Sequence, residues 1–138
     1  MATLQVPYTK NISLSVDSAV KIKATPAMPF NMGPEMQVDF YTGIEMDSNI
    51  AFQFRVYFGK QVVMNSRLGG NCGEEVKSTV MTFKDGQPFE LCISVQSNEY
   101  QVSVNGRQCY TFPHRFDPGS VKMIQVWRDV SLTSVNVV

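Results

Sequence analysis

The stretch from Ile50 to Phe58 constrains this chain more than any other: Ile50, Phe52, Phe54, Val56 and Phe58 alternate with Ala51, Gln53, Arg55 and Tyr57. Successive side chains of a strand point to opposite faces, so a period of two predicts a half-buried β-strand. One face is apolar and belongs in a core. The other is polar and available for contacts. Similar alternation runs through Met36-Val38-Phe40, Phe89-Leu91-Ile93-Val95 and Val102-Val104. Asn105-Gly106 lies between Val102 to Val104 and Gln108 to Phe112, and both residues tolerate a positive φ, so the pair predicts a tight hairpin. Asp85-Gly86-Gln87-Pro88 predicts another turn. Gln61 to Ser66, Val121 to Trp127 and Val130 to Val138 read as further strands, the last two lying around Arg128-Asp129.

Short strands punctuated by Gly, Pro, Asn and Asp, with almost no helical period, are the pattern of an antiparallel β-sandwich or barrel. The sequence shows no internal repeat, linker or low-complexity segment, so one all-β domain over residues 1–138 is expected. That length is enough to bury a core. Twelve basic and twelve acidic side chains cancel, which leaves no broad electrostatic footprint for nucleic acid or an anionic membrane. No apolar run approaches a membrane span. The opening MATLQVPYTKN lacks a basic stretch followed by an apolar one, so a cytosolic chain is the expectation, with export by a non-classical route compatible with it. Cys72, Cys92 and Cys109 are odd in number and have no C-x-x-C spacing, which points to reduced thiols rather than a disulfide framework or zinc site. Cys92 alternates against Leu91 and Ile93 and is expected to be partly buried on the second face. The sequon Asn11-Ile12-Ser13 reads as a chance tripeptide in such a chain.

Catalytic chemistry finds little support. His114 is the sole histidine, within Phe112-Pro113-His114-Arg115-Phe116, and no G-x-S-x-G motif lies near it. Beside Pro and Arg it reads as structural. Glu74 and Glu75 are adjacent, which in a strand sends them to opposite faces and spoils them as a glycosidase pair. Gly69, Gly70 and Gly73 lack the lysine and the helix of a phosphate loop. No catalytic residue, cofactor or metal is expected.

A binding face remains. Gln53, Arg55 and Tyr57 point the same way from one strand, and Asn65 lies on the next. Amide, guanidinium and phenol groups together suit a hydroxyl-rich ligand, because they combine donors with acceptors. The solvated face of an antiparallel sheet carries the same kinds of group, and these residues alone leave both readings open.

Leu4-Gln5-Val6-Pro7-Tyr8, Gln37 to Thr42, Val62 to Ser66, Tyr100 to Gly106 and Val121 to Asp129 occur in the order seen in galectins. From about Val6 to its end the chain resembles that family, and within it the group of the Charcot–Leyden crystal protein and the placental galectins. The resemblance implies a two-sheet antiparallel jelly-roll sandwich of five- and six-stranded sheets. It also implies a sugar site written H-x-N-x-R on one strand, V-x-N on the next, then W-x-x-E-x-R.

On that pattern Gln53 stands for the His, Arg55 for the Asn and Tyr57 for the Arg. Asn65 and Glu75 match. Cys72 occupies the place of the stacking Trp, and Lys77 that of the final Arg. Gln53 keeps a donor and an acceptor. Lys77 keeps the charge without the bidentate fork. Arg55 is longer than Asn and is expected to project into the sugar's space, and Cys72 offers no stacking platform. Loss of the aromatic alone removes roughly 1–3 kcal/mol, so weak or absent lactose binding is expected.

Two functional expectations follow. One is a lectin of changed specificity, for which Arg55 and Lys77 add positive charge favouring an acidic or non-galactose glycan. The other is a self-associating protein-interaction module on the same scaffold. The resemblance implies glycans or glycoproteins as partners, a homodimer, and a cytoplasmic or nuclear location with non-classical secretion. An exposed Cys72 would be open to oxidation or chain linkage.

Overall fold

The computed structural model describes residues 3–138. Among them twelve strands form: β1 (Tyr8–Asn11), β2 (Ala19–Pro26), β3 (Glu35–Tyr41), β4 (Ile50–Tyr57), β5 (Gln61–Leu68), β6 (Asn71–Cys72), β7 (Val76–Ser78), β8 (Phe89–Val95), β9 (Glu99–Val104), β10 (Arg107–Pro113), β11 (Met123–Arg128) and β12 (Val130–Val137). Short 3-10 turns at Phe30–Met32 and Pro118–Ser120 are the only helical elements among the described residues. The expected all-β sandwich is therefore observed.

One sheet runs β1-β11-β3-β4-β5-β6, with β7 also paired to β5, and the other runs β10-β9-β8-β2-β12. Every pairing is antiparallel. The first sheet differs from the implied six strands because its outer strand is broken into β6 and β7. At the break the Gly73 N–H donates to Ser66 O, the Asn65 side chain donates to Gly73 O, and Arg115 donates to Glu74 O. Side chains thus satisfy backbone groups that a continuous ladder would have paired.

The core lies between the sheets. Phe52 stacks on Tyr100 from the opposing sheet with ring centroids 4.7 Å apart, and meets Phe112 at 5.0 Å and Phe40 at 5.8 Å. Leu91 and Ile93 are fully buried while Cys92 is half-buried, as the alternation predicts. Asn105 and Gly106, at φ 52° and 83°, close the β9–β10 hairpin as expected.

The alternation of β4 is corrected at its start. Ile50 pairs with Tyr41 and Phe52 with Phe40, so β4 carries one residue more than β3 there. This bulge flips Ile50 off the core face, and it packs with Tyr41 and Met123 in a separate small cluster. Ala51 joins the main core instead. Val121 also falls outside its expected strand. It ends the Pro118–Ser120 turn, whose Asp117 side chain accepts from Gly119 N.

Candidate glycan groove

The outer face of the first sheet carries an open groove of about 550 Å³. Pairing register determines which side chains meet there. Gln53 sits between Asp39 and Asn65, and Arg55 between Gln37 and Val63, while Trp127 pairs with Gln37 from β11. Gln53, Arg55, Tyr57, Asn65, Cys72 and Glu75 all line the groove. Lys77 lies alongside on β7 and does not line it.

Arg55 leans along the sheet. Its Nε donates to Glu35 Oε1 at 2.8 Å, its Nη2 meets the same oxygen, and its Cζ lies 4.8 Å from the centre of the Tyr57 ring. This half-buried ion pair offsets the positive charge expected of Arg55 in the groove. Lys77 Nζ likewise stands 3.6 Å from Glu75 Oε1, an exposed pair that contributes little to stability.

Asn65 serves the scaffold. Its Nδ2 donates to Gly73 O at 3.0 Å, while its Oδ1 accepts from Ser66 N at 2.8 Å and Arg115 Nη1 at 3.0 Å. One amide N–H is left for a ligand. A Cβ at Gly73 would lie 2.8 Å from Arg115 Nη1, so a larger residue there would displace the guanidinium end. Cys72 is exposed as a free thiol.

The sequence reading missed three groove residues. Gln37 is buried, Trp127 is half-buried, and Arg128 lies beside both. Trp127 Nε1 donates to Asp39 Oδ2 at 2.9 Å, and Gln37 Nε2 donates to Asp39 Oδ1 at 2.9 Å. Desolvation holds the Asp39 carboxyl above its ordinary range, and the bonds from Gln37 and Trp127 act against that. Arg128 adopts φ 83°, donates from Nε to Gln37 Oε1 at 2.9 Å, and lies 4.0 Å from the centre of the Trp127 ring. Parity within β11 was the available signal: Ile124 and Val126 are core residues, which sends Gln125 and Trp127 to the groove side. Arg128 gave no such signal, because a left-handed backbone turns it out of the alternation.

His114 lies elsewhere, with Nε2 2.8 Å from Gln96 O and its ring edge-on to Tyr100 at 4.5 Å. No cluster of metal-ligating side chains occurs among the described residues. Among the described residues no helix is long and apolar enough to cross a membrane.

A two-sheet antiparallel sandwich with a polar groove on one outer face is an architecture found among carbohydrate-binding lectins. The sequence model of the family described as Galactoside-binding lectin matches residues 5–137, and the chain belongs to the galectin family. It is 53% identical over 135 residues to human galactoside-binding soluble lectin 13, covering 98% of this chain and 97% of that one. It is also 53% identical to human galectin-16, covering 98% of this chain and 95% of that one. The solved structure of human galectin-16 R55N superposes with a TM-score of 0.95 at 51% identity, covering 100% of this chain and 99% of that chain. These relatives agree with the expected placental, Charcot–Leyden-like group.

Proposed function

We propose that this chain is a non-enzymatic lectin with a divergent glycan groove, in which binding of lactose is weak or lost. The observation that carries this reading is the Arg55–Glu35 pair laid against Tyr57, where the family pattern has a short Asn and an Arg directed at the sugar. Cys72 adds a second deficit, since a thiol provides no face for the apolar side of a ring. Gln53, the remaining N–H of Asn65, and Glu75 still offer polar contacts in the groove.

Titration calorimetry of the reduced chain with lactose, beside Cys72→Trp, tests this. Wild type is expected to give little heat and the variant to gain roughly tenfold or more in affinity. Tight lactose binding by wild type overturns the reading. Silence in both directs attention to Arg55 and Tyr57.

Self-association is the alternative. Arg67 donates to Met46 O and Ser48 O, and Gly69 N donates to Asn49 Oδ1, which ties the Thr42–Asn49 connection to the end of β5. Ile44, Met46 and Leu68 are exposed on these two segments. Such a patch favours a contact between copies. A strictly monomeric sedimentation profile at high concentration argues against it.

A further inference from the structure

We propose that Arg128, held over the Trp127 ring, forms the ligand-recognising corner of the groove and is the cation for an anionic sugar substituent. This rests on the glycan-groove reading above and deepens it by naming a ligand class, an acidic saccharide carrying a carboxylate or sulfate.

Three observations converge on that corner. The first is charge. Arg55 is paired with Glu35 and Lys77 with Glu75, so neither presents an uncompensated cation. Arg128 also lines the groove, and among the described residues no carboxylate lies within ion-pair distance of it. Its Nε donates to a neutral amide, Gln37 Oε1, leaving the terminal nitrogens for a ligand. A guanidinium edge accepts carboxylate or sulfate through two parallel bonds.

The second observation is preorganisation. The Trp127 ring is fixed through its N–H to Asp39 and by the Arg128 guanidinium 4.0 Å from its centre. Gln37 links the two residues by bonding both Asp39 and Arg128. A guanidinium held between this ring and Gln37 loses little freedom when a ligand arrives.

The third is backbone strain. Arg128 has φ 83°, a conformation that disfavours any residue with a Cβ. A glycine would sit there without strain, whereas the arginine's left-handed backbone places its side chain beside Trp127 and Gln37. Residues held in such conformations concentrate at ligand sites.

Trp127 is the only tryptophan in the sequence, so its emission reports directly on this corner. The full reduced chain is titrated with lactose, sialylated lactose and sulfated lactose while Trp127 fluorescence is followed, with calorimetry in parallel. The expected result is a saturable emission change with one or both acidic probes, at an affinity at least tenfold above lactose. The sialylated and sulfated arms distinguish carboxylate from sulfate. Arg128→Gly suits the local backbone and leaves the Asp39 bond to the indole in place. It is expected to abolish the acidic preference while melting at or near the wild-type temperature. Arg107→Gln, which removes an exposed cation at the start of β10 in the other sheet, is expected to leave the preference intact. Equal affinity for neutral and acidic probes, or an acidic preference that survives in Arg128→Gly, overturns the proposal. Binding of neutral glycans on an array without any acidic preference removes this inference and leaves the lectin reading standing. An array with no binding removes both.

Discussion

Trp127 donates its indole N–H to the Asp39 carboxylate across 2.9 Å, tying neighbouring strands together beneath the groove. Asp39 is only 1% exposed, and burial raises its pKa above the ordinary 3.8, opposed by bonds from Gln37, Trp127 and Gln53 and by the charge of Arg67. The folded chain therefore takes up this proton at a higher pH than the unfolded chain. Between the two values the folded state holds more of the proton, so Asp39's contribution to stability grows as pH falls through the folded pKa towards 3.8. Urea unfolding of wild type and Asp39→Asn from neutral to about pH 4 is expected to show the difference moving in favour of wild type on acidification. A flat difference, or one moving the other way, refutes the assignment.

Phe52 is fully buried and touches rings from both sheets, Phe40 on its own side and Tyr100 and Phe112 on the other. Phe52→Ala leaves a cavity at the centre of the sandwich, with an expected loss of about 3–5 kcal/mol in denaturant unfolding. A loss below about 1 kcal/mol would mean that the sheets close over the gap.

The Arg55–Glu35 pair is partly exposed, the arginine to 32% and the glutamate to 26%. A double-mutant cycle with Arg55→Gln and Glu35→Gln is expected to give a coupling near 1 kcal/mol, reduced by added salt. Zero coupling would show that Tyr57 alone positions the guanidinium.

Arg115 supports the broken edge through bonds to Asn65 Oδ1, Ser66 Oγ and Glu74 O, with its Cζ 4.7 Å from the Phe112 ring centre. Arg115→Ala is expected to cost about 1–3 kcal/mol, because these acceptors lose a charged donor. Faster amide exchange at Gly73 to Glu75 locates the damage. Unchanged exchange there contradicts the role given to Arg115.

Much of the sandwich was legible because side-chain parity along a strand is a local property. Phe52, Phe54 and Val56 declare a core face by themselves, and Asn105-Gly106 declares its turn through backbone tolerance. Ile50 was misread because the extra residue at Ala51 exists only as a mismatch between β4 and its neighbours, and one strand's sequence does not contain it. The groove was legible where residues follow parity, as Gln53, Arg55 and Tyr57 do. The pairing of Arg55 with Glu35 was not, because it depends on β3 lying beside β4. Arg128 was hidden more deeply. Its place depends on a left-handed backbone that nothing in its side chain announces.

The interruption at Gly73–Glu75 also decides what kind of border the groove-bearing sheet presents. It leaves β6 and β7 as runs of two and three residues at that border of the sheet. Pieces so short, with intervening backbone groups already bonded to Asn65 and Arg115, make a poor template for an incoming strand. The opposite border, β1, is only four residues long. The longer borders lie in the other sheet, where β10 runs seven residues and β12 runs eight, the latter bridged by Leu4 at Leu132.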